Sequence, residues 1–127
     1  YVATFIGQAN LLEGIVHGQT FQSEGIRLTL LIRPNLKDGA KAKIVFRPED
    51  VFLRKPENLT QNYQKLSEGL IREVNFVGAF ERVVVQLSLP GSPNITVTRP
   101  KSETNIFPLA IGQTVTVGLV RFRILPH

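Results

Sequence analysis

The side chains with the widest chemical reach sit in one short string, Phe46-Arg47-Pro48-Glu49-Asp50-Val51. Pro48 removes a backbone donor and biases Arg47 toward extended geometry, so a strand should break or bend there. Arg47 then emerges at the strand end beside two carboxylates. One use of that corner is structural: an Arg–Glu or Arg–Asp pair, in a two-pronged geometry that lysine would not reproduce, pins the turn. The other use is contact with a neighbouring domain or partner. Acid/base catalysis by Glu49 and Asp50 is not suggested, because adjacent residues on a strand point to opposite faces.

The rest of the catalytic repertoire is missing from the sequence. It has no Gly-x-x-x-x-Gly-Lys-Ser/Thr phosphate loop and no Gly-x-Ser-x-Gly nucleophile elbow. It has no cysteine, which excludes a thiolate nucleophile, a disulfide framework and a thiolate metal site. The two histidines, His17 and His127, are isolated, and His17 beside a glycine turn reads as a surface or edge-strand residue. Nothing in these residues builds an active site, and none of them points to a metal or cofactor site.

Composition sets the frame for that reading. The chain has 127 residues, 43% hydrophobic and 20% charged, which suits one compact soluble domain. No run approaches the roughly 20 apolar residues of a membrane helix. The start lacks the features of a signal peptide, so the sequons at Asn58 and Asn94 read as chance matches. The absence of methionine fits an excised fragment. The net charge of +5 is spread along the chain rather than massed, so it reads as a solvated surface with mild positive excess.

Around the corner the dominant hydrophobic period is two. Ile26, Leu28, Leu30 and Ile32 share a face, as do Ala42, Ile44 and Phe46, with Lys41 and Lys43 opposite. Val83, Val85 and Leu87 repeat the pattern, and Ile95 and Val97 follow it. From Thr114 to Leu125 the phase changes: Val115, Val117 and Leu119 lie on one face, and Val120, Phe122 and Ile124 on the other. Gly118 is placed to supply a bulge that lets one strand serve two sides of a curled sheet. The best helical candidate, Glu57 to Ser67, lies in a polar stretch from Arg54 to Gly69. An internal echo pairs Glu13-Gly14-Ile15-Val16 with Glu68-Gly69-Leu70-Ile71, Ile32-Arg33-Pro34 with Thr98-Arg99-Pro100, and Gly39–Ile44 with Gly112–Val117. The prediction is all-β: one domain over 1–127, an OB-like barrel or two similar OB-like modules (10–53 and 68–125) packed together and joined by 54–69.

In this order the strings resemble the segment called TOBE, for transport-associated OB, of ABC-importer ATPase subunits. Phe5-Ile6-Gly7-Gln8-Ala9-Asn10-Leu11-Leu12-Glu13-Gly14 matches its opening. Gly39 to Glu49 matches its Arg-Pro-Glu strand, with Phe46 in the usual aliphatic place. Gly69, Leu70, Val74, Phe76 and Gly78 match a later run, and Gly112 to Val117 the closing one. The resemblance covers essentially the whole chain, with the 54–69 stretch longer than the family minimum.

The resemblance implies a catalytic core before Tyr1 that carries the phosphate loop and uses ATP and Mg, neither of which this chain would hold. It implies an appendage that stabilises the ATPase dimer and, in some members, senses inhibitors or regulatory proteins. The partners implied are its own ATPase domain, a second copy in a homodimer, the permease through the parent, and a regulatory protein or small ligand. The location implied is cytoplasmic, at the inner face of the plasma membrane via the permease. Candidate interface residues are Arg47, Glu49, Asp50 and the segment around Phe80, which breaks the alternation and is either exposed or folded back on the core. The rival readings are a free-standing OB module for single-stranded nucleic acid or for a small oxyanion. The first is opposed by the lack of tryptophan and by Phe46 and Phe76 in core-facing phase.

Overall fold

The computed structural model describes residues 9–30, 34–55 and 64–126. Tyr1, Phe5–Gly7 of the opening motif, Ile32, Arg33, residues 57–63 of the helical candidate (Asn58 and Tyr63 among them) and His127 lie outside the described residues.

The described residues form ten strands: β1 (Asn10–His17), β2 (Thr20–Ser23), β3 (Ile26–Thr29), β4 (Lys41–Phe46), β5 (Val51–Arg54), β6 (Gln64–Val77), β7 (Phe80–Leu87), β8 (Asn94–Pro100), β9 (Thr114–Leu119) and β10 (Arg123–Pro126). A 3-10 turn (Pro48–Asp50) precedes β5, and a one-and-a-half-turn helix α1 (Lys101–Ile106) follows β8. The alternation acts as the sequence implied. Ala42, Ile44 and Phe46 of β4 are buried, as are Val83, Val85 and Leu87 of β7 and Ile95 and Val97 of β8, all in one contiguous core.

Two five-stranded antiparallel sheets share one layout, β10-β4-β1-β2-β3 and β5-β9-β6-β7-β8. Strands β1, β2, β3 and β4 correspond to β6, β7, β8 and β9. The edge strands are exchanged: β5, which follows β4, joins the second sheet beside β9, and β10, which follows β9, joins the first sheet beside β4. The sheets therefore do not coincide with the stretches 10–53 and 68–125, since Val51–Arg54 lies in the second and Arg123–Pro126 in the first.

The echoed strings Glu13–Val16 and Glu68–Ile71 sit on matching rungs. Ile15 pairs with Gln22 and Val16 with Phe21, as Leu70 pairs with Gln86 and Ile71 with Val85. Gly14 and Gly69 each occupy the position before these rungs, where a neighbouring strand presses too close for a side chain. A second matched pair closes the sheets against each other. The Asn10 amide donates to the Thr96 carbonyl and accepts from its N–H, both at 2.9 Å. The Gln64 amide makes the same two bonds to Thr29, at 2.7 and 2.6 Å. Thr29 and Thr96 hold equivalent places on β3 and β8, so each amide clasps the outer strand of the other sheet.

Three expectations change. Thr114 to Leu125 is not one strand bulged at Gly118: the chain leaves the second sheet after Leu119, crosses, and enters the first at Arg123, while Gly118 sits in register opposite Phe52 and Lys65. Residues 64–67 of the helical candidate, and the 64–69 end of the polar stretch, belong to β6, where Leu66 and Ser67 are buried. Among the described residues a helix forms at α1, which has no buried residue, so no apolar stripe announced it.

Candidate functional site

The two crossovers made by strand exchange run past each other, and the predicted corner lies where they meet. In the turn after β4, the Asp50 N–H donates to the Arg47 carbonyl at 2.9 Å. The Asp50 carboxylate in return accepts the Arg47 N–H at 3.3 Å. The Asp50 carbonyl accepts the Val120 N–H of the second crossover at 2.9 Å. Asp50 thus ties both crossovers together. The pin expected from the Arg47 guanidinium is absent among the described residues; Arg47 contributes its backbone, and the guanidinium facing Asp50, at 4.0 Å, belongs to Arg121. Pro48 explains the change, because its turn carries the Arg47 side chain outward into solvent.

Between the crossovers lies an open cleft of about 610 Å³, lined by Arg47, Glu49 and Asp50 on one side and Arg121, Phe122 and Arg123 on the other. Three arginines and two carboxylate residues contribute to its lining. The cleft can hold a small anion or meet a charged partner surface; no group of three metal-ligating side chains occurs among the described residues. The sequence placed Arg47, Glu49 and Asp50 together but missed Arg121 and Arg123, which are more than seventy positions away and reach the corner only through the exchanged strand.

Phe80 does not line this cleft. It sits at the tip of the β6–β7 hairpin, 51% exposed and opposite Val77, which is 59% exposed. Phe76 corrects its expectation: it shares a side with buried Glu81 and Val83, but the hairpin has run past the core by then, leaving it 57% exposed under the Lys101 ammonium at 5.8 Å. Phe76 and Phe80 project from opposite faces of the hairpin, so they form no common platform on which successive bases could stack. One rung in from the hairpin tip Glu81 and Arg99 form a buried ion pair, and Arg99 Nη2 donates to the Phe107 carbonyl at 2.6 Å.

A polar cluster lies on the second sheet. Glu68 accepts from the Thr116 hydroxyl at 2.7 Å and from Lys65 Nζ at 3.2 Å. The Thr116 hydrogen bond, helped by Lys65, holds the Glu68 carboxyl below the usual glutamate range despite a smaller opposing effect of burial.

No family model matches the sequence. The chain is 29% identical over 96 residues to the spermidine/putrescine import ATP-binding protein PotA of Oleidesulfovibrio alaskensis, a match covering 71% of this chain and 25% of that protein. The chain thus spans about a quarter of that relative's length. In fold it is similar to the cytoplasmic molybdate-binding protein ModG in its molybdate-bound crystal form, with a TM-score of 0.78 and 14% identity over 93% of this chain and 96% of ModG. No helix among the described residues is long and apolar enough to cross a membrane. In sequence the chain is similar to part of an import ATP-binding protein and in fold to a molybdate-binding protein, and its described residues form an all-β domain of two packed sheets.

Proposed function

We propose that the chain is the C-terminal regulatory and dimerisation domain of the ATP-hydrolysing subunit of a bacterial ABC importer. The sequence likeness to an importer's ATP-binding protein carries this reading. ATP and magnesium are held by the ATPase domain of the same polypeptide and not by these residues. The partners are that domain, a second copy, the permease, and a regulatory protein or small ligand at the crossover cleft. The location is cytoplasmic, peripheral at the inner face of the plasma membrane. Exchanged edge strands suit a dimerisation appendage, because the two sheets resist being pulled apart while attached catalytic domains open and close. The test compares the complete subunit with one lacking this domain, by sedimentation and ATPase rate. Weaker dimerisation of the truncated subunit is expected; unchanged dimerisation and unchanged control of hydrolysis would refute the reading.

A second reading, binding of a small oxyanion, is favoured by the three arginines of the cleft together with the fold shared with a molybdate-binding protein. Calorimetric titration with molybdate and sulfate tests it. Binding that disappears in Arg47→Ala and Arg123→Ala supports it, and absence of heat with both anions eliminates it.

A further inference from the structure

The two sheets serve as each other's control, and they differ most at one hairpin. The β1–β2 hairpin ends three residues beyond Gly14, at His17 paired with Thr20. Its counterpart β6 continues eight residues beyond Gly69 to Val77, paired with Phe80. Both turns open on a glycine at positive φ, Gly18 at 59° and Gly78 at 62°, as tight two-residue hairpins require. The extra length is therefore an addition to the strands, not a different turn. It carries Phe76, Val77 and Phe80 into solvent where the short hairpin carries polar residues. The buried Glu81–Arg99 pair and the Phe107 carbonyl brace the outer end of the arm, on the rung next to Phe80, so the tip is held in place before it meets anything.

Resting on the function proposed above, we infer that this arm is the surface by which the domain docks onto the ATPase domain of its own polypeptide. The size of the apolar tip selects the partner. With about half of each side chain exposed, two phenylalanines and a valine offer about 300 Å², well short of the roughly 800 Å² per partner in a stable complex between free proteins. A contact that small holds when a covalent link supplies millimolar effective concentration. The arm's charges specify the rest: Arg72 and Lys101 outnumber Glu73 on its exposed surface, so the receiving hollow is apolar with an acidic rim.

The experiment places a photo-reactive p-benzoylphenylalanine at position 80 in the complete subunit and maps the cross-links by mass spectrometry. The expected product joins position 80 to a peptide of the ATPase domain in the same chain, with a yield about tenfold lower when Phe76→Ser and Val77→Ser are added. Thermal unfolding of the Ser variant checks that the fold is intact. Cross-links to this β domain of a second copy, no cross-link to protein, or a yield indifferent to the Ser changes would each overturn the inference while leaving the importer reading standing. If intact mass shows a parent polypeptide with no ATPase domain, that reading falls first and the docking with it.

Discussion

An alanine at Gly14 would place its Cβ 2.5 Å from the Gln22 carbonyl oxygen and 2.6 Å from Phe21 Cζ. Neither neighbour can retreat, since the first is backbone in a ladder and the second is fully buried. At Gly69 the matching Cβ would lie 2.5 Å from Val85 Cγ1, but 3.3 Å from the Gln86 carbonyl. There the side chain takes most of the strain. Overpacking of this kind costs about 1–3 kcal/mol, and replacing glycine returns about 0.4–1 kcal/mol through the unfolded chain. The net losses are about 2 kcal/mol for Gly14→Ala and about 1 kcal/mol for Gly69→Ala. With about 2.1 cal/mol/K of unfolding entropy per residue, these correspond to drops in Tm of about 8 °C and about 4 °C. Calorimetry and urea unfolding measure both. Adding Val85→Ala to Gly69→Ala should destabilise by less than the sum of the two single changes, because the colliding methyl is gone. Equal losses at the two glycines, a reversed order, or strict additivity with Val85→Ala would refute the reasoning.

Three further outcomes are expected. Arg99→Ala should destabilise by about 3–5 kcal/mol by stranding the buried Glu81 carboxylate, and adding Glu81→Leu should restore much of the loss in urea unfolding. Asn10→Ala should lose about 2 kcal/mol and Gln64→Ala nearer about 0.5 kcal/mol in urea unfolding, because the first clasp is buried and water can replace the second. Glu68, whose folded pKa is lowered, contributes stability that is present above its ordinary value of about 4.3 and is lost as pH falls through the folded value. Thr116→Val should therefore lower stability near neutral pH more than in acid, flattening the acid limb of a stability–pH curve, an effect kept small by the partial exposure of Glu68.

How far the fold could be read from the chain varied with how local the cause was. Alternation along β4, β7 and β8 is a property of neighbouring residues, and those strands and their buried faces were legible. The partner of an edge strand is not local. Val51–Arg54 looks the same whether it pairs with β4's sheet or with β9's, so the exchange could not be seen, nor could the arrival of Arg121 and Arg123 beside Asp50. Phase and exposure also came apart at Phe76. Period two correctly set which side of the strand it occupies but says nothing about where the core beneath that side ends. Helix α1 was hidden for the opposite reason, since it buries nothing and carries no periodic signal.

Because each sheet is completed by a strand lent from the other half, neither half could finish itself if cut free. A chain with one such unit would have to take its fifth strand from another copy, so it would fold as a pair and lose stability on dilution. Duplication into a single polypeptide makes the exchange internal and removes that dependence on concentration. It also releases the two units from having to stay identical. One hairpin ends short and polar at His17 and Thr20, and the other extends into an arm.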